Sequence, residues 1–292
     1  MNASQQFYQA IQSYGLEPPE FIEPGRLYRF PGAGKRNGNT AGWCRLFEDG
    51  EGGCFGDWSA NLSETWQAQR DNPRSPAERA AFIQQVKAAK QAAMAQQLER
   101  QCQAAQRAKT IWEQAKPAPA DHPYLVKKRI RPHGARIHKG SLVLPVGDFE
   151  DLTSLQFIDG DGSKRLLSGG RKKHCFIPVN RLERPSRMVI CEGWATGATL
   201  AEDAPETFVL AAIDAGNLEA VAVATRAYWP KTELVIAGDD DRRTPGNPGR
   251  VKATEAAVAA SALIAFPQWP EKAPDHLTDF NDLAVWLTGG EA

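Results

Sequence analysis

Acidic residues directly follow two apolar runs in the C-terminal part of this chain. Glu192 follows the run RMVIC, and the triplet Asp239, Asp240 and Asp241 follows ELVIAG. Alternate side chains of an extended segment share a face, so Asp239 and Asp241 are expected on the same side. Carboxylates gathered together repel one another unless a cation neutralises them, and oxygen-only ligands favour Mg²⁺ or Mn²⁺. The alternative interpretation of a lone aspartate run is a solvated loop after a strand.

Two further aspartates could extend this group. Asp279 precedes the segment FNDL, where it fits equally well as the cap of a helix or as a neighbour of the metal. Asp214 follows the apolar run TFVLAAI, where a structural turn and a position beside the other acids are equally good interpretations.

The elements that must position these acids alternate between strands and helices over residues 185–292. Four apolar runs, RMVIC, TFVLAAI, ELVIAG and IAF, are separated by helical segments. This alternation predicts an α/β fold with a parallel sheet flanked by helices on both faces. Right-handed crossovers would bring the acid-bearing loops together at the carboxyl edge of the sheet.

Three segments precede this α/β part. The first is predicted to be a small antiparallel β unit, the second a long Ala- and Gln-rich helix with a thin apolar stripe, and the third strands with hairpins. The helix is expected to separate domains, so that a fragment beginning near Asp121 should fold. The four predicted divisions are residues 1–72, 73–119, 120–184 and 185–292.

A basic run lies just before the α/β part. Arg and Lys suit phosphate contacts, which fix position without reading sequence. A solvated surface is the alternative interpretation of such a run. The run contains Lys164, Arg165, Arg171, Lys172 and Lys173.

The motif E-G-x-x-T-G beginning at Glu192, together with D-x-D at 239–241, gives residues 187–292 a resemblance to the Toprim domain of bacterial primases, topoisomerases and some nucleases. The resemblance implies that Glu192, Asp239 and Asp241 form the metal site, with Glu192 acting as ligand or as acid–base group. Asp279 matches an acidic-Asn-Asp-Leu run of phage and plasmid members. The fold class is therefore α/β: a C-terminal Toprim-like parallel sheet, preceded by a small mixed α/β subdomain with the basic run, a long helix and the N-terminal β unit.

The order of segments is most similar to primases of mobile elements. This resemblance implies a DNA primase that makes short RNA primers on single-stranded DNA from nucleoside triphosphates, with Mg²⁺ or Mn²⁺ as cofactor. No G-x-x-x-x-G-K-[ST] motif occurs, which implies a separate replicative helicase as partner. Two alternatives stay open: a Toprim-type metal-dependent nuclease and a non-catalytic nucleic-acid-binding adaptor.

Composition and cysteine usage limit the remaining classes. The 292 residues are 42% hydrophobic, and 35 basic residues balance 35 acidic ones, so nucleic-acid binding must come from local patches. Many related primases begin with a zinc ribbon, but Cys44 and Cys54 lack partners at ligand spacing, so no zinc is expected. The polar N-terminus and the lack of a long apolar run predict a cytoplasmic protein without a membrane partner.

Overall fold

The computed structural model describes residues 2–35, 38–70 and 72–289. The chain divides into two compact units, Met1–Glu99 and Arg100–Ala292. The division falls within a single long helix, and each unit is described by itself.

The N-terminal unit is built on a four-stranded antiparallel sheet in the order β1-β2-β3-β4, as the turn-rich sequence predicts. Helix α1 covers one face with Phe7 and Ile11, and the first half of α2 covers the other with Phe82. Cys44 and Cys54 are buried in different clusters on these two faces, and burial raises the pKa of the Cys44 thiol to about 12. Both cysteines thus serve as small core residues. The elements are α1 (Ala3–Gln12), β1 (Leu27–Phe30), β2 (Gly42–Leu46), β3 (Gly52–Asp57), β4 (Leu62–Gln67) and α2 (Pro76–Gln114).

Helix α2 does not simply separate two domains, in contrast to the sequence-based expectation for residues 73–119. In the second unit Ala108 is fully buried, and Ile111 and Trp112 pack against the same cluster as Val143 and Leu155. These three helix residues recur at helical spacing and together cover a sheet face. The second half of α2 therefore belongs to the C-terminal unit.

The C-terminal unit begins with an antiparallel sheet in the order β5-β6-β7-β8-β9. Alternation along β7 sends Val143 toward α2 and Leu142 and Leu144 into the core shared with the following sheet. The elements are β5 (Lys116–Pro117), α3 (Pro123–Lys128), β6 (Arg136–His138), β7 (Ser141–Gly147), β8 (Leu152–Ile158) and β9 (Lys164–Leu166).

The second sheet of this unit confirms the predicted parallel sheet flanked by helices. Its order is β10-β12-β11-β13-β14, and all pairs except β10 with β12 are parallel. Helices α4 and α7 pack on one face, and α5 and α6 on the other. The elements are β10 (Ile177–Pro178), β11 (Arg187–Cys191), α4 (Trp194–Asp203), β12 (Phe208–Ala211), α5 (Ala215–Tyr228), β13 (Glu233–Ala237), α6 (Pro248–Ala259), β14 (Leu263–Ala265) and α7 (Phe280–Leu287).

One strand of the second sheet lies before the domain boundary that the sequence predicts between residues 184 and 185. Strand β10 precedes that point but pairs with β12, with Ile177 opposite Ala211.

Among the described helices, none combines the length and apolar character that a membrane span requires.

The packing of α2 leads to a prediction about fragments. A fragment covering Arg100–Ala292 should fold, whereas one beginning at Asp121 loses Ala108, Ile111 and Trp112 from the core. Burial of one large apolar side chain contributes about 1.5–3 kcal/mol, so we expect the shorter fragment to melt several degrees lower or to be insoluble. Thermal unfolding followed by circular dichroism compares the two, and equal melting temperatures would contradict the shared role of α2.

Candidate functional site

The predicted acids lie at the carboxyl edge of the parallel sheet. Strand β11 is the central strand of the three concerned, with Cys191 level with Ala211 of β12 and with Ala237 of β13. Glu192 therefore leaves the sheet between the loop of Asp214 and the loop of the aspartate triplet. Adjacent parallel strands bring these carboxylates to one edge because their carboxyl ends coincide.

Glu192 is half-buried, and the charges of neighbouring acidic residues act on its carboxyl group. Burial raises its pKa, and the charges of Asp214 and Asp241 raise it further. The backbone N–H of Ala215 and the charge of Lys164 act in the opposite direction. Glu192 is thus close enough to acids on both neighbouring strands to interact with them electrostatically.

Asp239 is a buried carboxyl group of this edge with a strongly raised pKa. Burial raises its pKa to about 8, and the charges of Asp279, Glu192 and Asp241 contribute in the same direction. Its Oδ1 atom is buried and has no hydrogen-bond partner among the described residues. A buried carboxylate oxygen without a partner is costly unless a cation satisfies it. The donor set around Asp239 therefore fits a divalent cation.

Asp241 is held by the beginning of helix α6. Its Oδ2 accepts the backbone N–H of Gly249 at 2.8 Å, and its own N–H donates to Asn247 Oδ1 at 2.9 Å. A Cβ atom on Gly249 would lie 2.8 Å from the carbonyl oxygen of Asp239, so only glycine allows this approach. The residues Asn247, Pro248 and Gly249 could have been recognised from the sequence as a helix start, because Asn is a common cap and Pro a common first residue.

Asp240, between the two predicted ligands, is a structural residue that the sequence analysis did not assign. It is buried, and its carboxylate accepts hydrogen bonds from Asn247 Nδ2 at 2.7 Å, Arg250 Nε at 2.9 Å and Trp269 Nε1 at 2.9 Å. Alternation along the extended segment turns this side chain away from those of its two neighbours. Asp240 thus anchors the loop that carries Asp239 and Asp241.

Asp279 caps a helix and also lies close to the other acidic residues. It is the N-cap of α7, since its Oδ1 accepts the backbone N–H of Asp282 at 2.8 Å. Burial raises its pKa, as does the charge of Asp282, while a hydrogen bond with Thr196 lowers it. Its charge is also the largest electrostatic contribution to the raised pKa of Asp239. The helix cap therefore lies beside the acidic edge.

Two members of the basic run lie at the same edge. Lys172 Nζ pairs with Asp214 Oδ2 at 2.6 Å, and the charge of Lys164 acts on the pKa of Glu192. Lys164 of β9 pairs with Ile158 of β8. Paired residues lie on the same face of a sheet, and Ile158 belongs to the core that faces the parallel sheet. Both lysines are therefore available to an anionic ligand at this edge.

The other three members of the basic run are not brought together with these lysines. Arg165 follows Lys164 on the strand and so lies on the other face, with its guanidinium 4.4 Å from the ring centroid of Phe157. Arg171 pairs with Asp148, and Lys173 is exposed. Lys164 and Arg165 lie on opposite faces of β9 because successive side chains of a strand alternate, so the basic run does not form one surface.

The carboxylates form a neighbouring set rather than a closed cage. In the part of the chain that the structure describes, no three His, Cys, Asp or Glu side chains stand close enough together to hold one ion. Mg²⁺ commonly binds through one or two carboxylates and keeps several waters, so a closed cage is not required for it.

Similarities to known proteins extend over most of this chain. Residues 187–288 match the family described as Toprim domain. The chain is 36% identical over 288 residues to a DNA primase TraC of Escherichia coli, covering 90% of this chain and 26% of the relative. A second DNA primase TraC of Escherichia coli is 46% identical over 121 residues, covering 39% of this chain and 8% of that protein. The chain thus spans about a quarter of the length of the first relative and less than a tenth of the second.

Two solved structures are also similar. The primase fragment of the bacteriophage T7 primase-helicase protein has a TM-score of 0.42 and 14% identity, covering 90% of this chain and 95% of that chain. A complex of the bacteriophage T7 lagging-strand DNA polymerase with primase domains of two gp4 subunits has a TM-score of 0.39 and 18% identity, covering 53% of this chain and 76% of that chain.

The different surroundings of Asp239 and Asp240 predict opposite effects of the same substitution on the metal-free protein. The folded-state pKa of Asp239 lies above its ordinary value of 3.8, so folding takes up a proton and stability falls as the pH rises from about 4 to about 8. Asp239→Asn removes this penalty. We expect its melting temperature to exceed that of the wild type by a few degrees at pH 8 and to equal it near pH 4.

Asp240→Asn should destabilise the protein by about 2 kcal/mol, because a neutral amide then faces three hydrogen-bond donors. Differential scanning calorimetry in the presence of a chelator measures both variants. If both substitutions shift the melting temperature in the same direction at pH 8, the assignment of Asp239 as unsatisfied and Asp240 as satisfied is wrong.

Proposed function

Residues 187–288 of this chain form a Toprim domain, and we propose that the chain is the catalytic part of a DNA primase. Its activity would be the synthesis of short RNA primers on single-stranded DNA by metal-dependent nucleotidyl transfer. The observation that carries the proposal is the buried, unpartnered carboxylate of Asp239 beside Glu192 and Asp241. The similarity to proteins named DNA primase TraC supports a primase over other Toprim activities.

The carboxylates proposed to bind metal are Glu192, Asp239 and Asp241, with Asp279 as a further candidate, and no more than two of them would bind any one ion. Mg²⁺ or Mn²⁺ bound there supplies positive charge to the phosphoryl oxygens that react. Asp239 offers the oxygen that lacks a protein partner, whereas Asp241 already accepts one N–H from Gly249. The pKa of Glu192 is raised by burial and by the charges of Asp214 and Asp241, which leaves both a ligand role and an acid–base role consistent with its surroundings.

The two lysines at the acidic edge are proposed to bind the anionic substrates. Lys172 is paired with Asp214, and a triphosphate or a template phosphate could replace that carboxylate as its partner. Lys164 already acts on Glu192 and would place a second positive charge there. Arg165, Arg171 and Lys173 would contribute only more distant backbone contacts.

The proposed partners follow from this chemistry. The substrates are a single-stranded DNA template and nucleoside triphosphates, and a separate replicative helicase would open the duplex ahead of the primase. The cytoplasm is the proposed location, since the template and the nucleotides are found there.

The first test is primer synthesis on single-stranded DNA with labelled nucleoside triphosphates and Mg²⁺ or Mn²⁺. Asp239→Asn and Asp241→Asn should each reduce the yield by a factor of about 10² or more, on the order expected when an electrostatic contribution to phosphoryl transfer is removed. Asp275→Asn is the matched control, because Asp275 is exposed and pairs only with Arg243 among the described residues. Cleavage of DNA without primer synthesis on varied templates would instead establish a nuclease.

The second test concerns the divided basic run. Lys164→Ala and Lys172→Ala should weaken binding of single-stranded DNA and reduce the slope of log affinity against log salt by about 0.7 for each phosphate that is no longer neutralised. Arg165→Ala is the comparison variant on the other face of β9, and we expect its slope to change less than the slopes of the two lysine variants. Fluorescence anisotropy across a salt series measures this, and equal slopes for all four proteins would exclude the two lysines from the interface.

A further inference from the structure

A groove lies beside β10, the edge strand of the parallel sheet. Its volume is about 800 Å³, and its lining extends from Gly147 at the end of β7 to Phe208 at the beginning of β12. Trp229, which directly follows α5, closes one side. None of the proposed metal ligands lines it. The groove is therefore separate from the acidic edge.

Aromatic side chains line the floor of the groove, and the stacked pair Phe149 and Tyr228 is called the aromatic shelf. Phe149 stacks on Tyr228 with centroids 4.4 Å apart at 17°, and it packs against Phe176 at 4.7 Å. Tyr228 is nevertheless 53% exposed, although it also contacts Trp229 at 5.7 Å. Neighbouring rings fix the orientation of this exposed surface, so it can accept an apolar side chain with little loss of entropy.

The rim of the groove is acidic and is held in place by its own hydrogen bonds. One oxygen of Asp148 accepts the backbone N–H groups of Glu150 at 3.0 Å and Asp151 at 2.8 Å, and the other pairs with Arg171. Glu150 is exposed beside the shelf. The charged residues that line the groove are Asp148, Glu150, Asp151, Glu183 and Arg181.

The balance of charge indicates the chemistry of the occupant. Four acids and one arginine line the groove, and Arg171 neutralises one of these acids, Asp148. The remaining excess of negative charge repels a phosphate backbone and attracts Lys or Arg side chains. The exposed aromatic floor at the same time requires an apolar group to cover it.

We propose that this groove binds a segment of a partner protein in which lysine or arginine residues flank a large apolar side chain. The apolar side chain covers the shelf of Phe149 and Tyr228, and the cations face Glu150 and Glu183. The inference does not depend on the proposed primase chemistry, because the groove shares no lining residue with the metal ligands.

The test uses the whole chain and a short fluorescent peptide in which leucine is flanked by lysines. A second peptide has serine in place of leucine. The double substitution Glu150→Lys and Glu183→Lys should weaken binding of the first peptide about tenfold at low salt, and this difference should shrink at high salt. Tyr228→Ser should weaken binding about tenfold at both salt concentrations, because the apolar contact is not screened. Glu271→Lys, at an exposed acid outside the groove, is the matched control.

Melting temperature and primer synthesis are measured for each variant, so that failure of the fold or of the proposed function is distinguished from failure of the groove. The proposal is supported if the leucine peptide binds more tightly than the serine peptide and only the groove variants lose affinity. It is overturned if Glu271→Lys weakens binding as much, or if the serine peptide binds equally well. It is also overturned if the groove variants lose affinity for single-stranded DNA instead.

Discussion

The mutual repulsion of buried carboxylates at the carboxyl edge of the parallel sheet is the constraint on which the remaining features of the site depend. Burial and the neighbouring charges raise the pKa of Asp239 to about 8, and burial raises that of Glu192 as well. Such an arrangement is unfavourable for folding unless the rest of the unit offsets it. The surrounding core of apolar strands and Ala-rich helices supplies that stability, because both faces of the sheet are covered.

A layer of satisfied polar groups behind the acids keeps them in place. Asp240 points away from the edge and is bound by Asn247, Arg250 and Trp269, so the loop between β13 and α6 cannot relax outward to relieve the repulsion. Gly249 allows the helix backbone to approach Asp241 closely. Rigid support of this kind is what a metal site needs, since ligands must stay close together before the ion arrives.

Much of this site could be predicted from the sequence, because its signals are local. Two apolar runs that end in acids identify strand ends, and a period of two separates Asp240 from its neighbours. The position of β11 between β12 and β13 could not be predicted with the same certainty, because the order of strands is set by crossovers and packing over the whole unit. The same holds for Arg165, whose direction depends on the register of a short edge strand, and for Tyr228, which completes a groove with residues far away in the chain. The shared role of α2 was missed because the apolar stripe of the helix is thin, although Ala108, Ile111 and Trp112 are enough to cover a sheet face.

The ionisation of Asp239 tests the account most directly. Carbon-13 NMR of the whole chain with labelled aspartate carboxyl groups, assigned by comparison with Asp239→Asn, follows this residue as the pH changes. In a chelator its carboxyl group should titrate with a pKa of about 8, and Mg²⁺ should keep it ionised at neutral pH. A pKa near the ordinary value of 3.8 without metal, or a titration that Mg²⁺ does not change, would contradict the proposal that this edge of the sheet is a metal site.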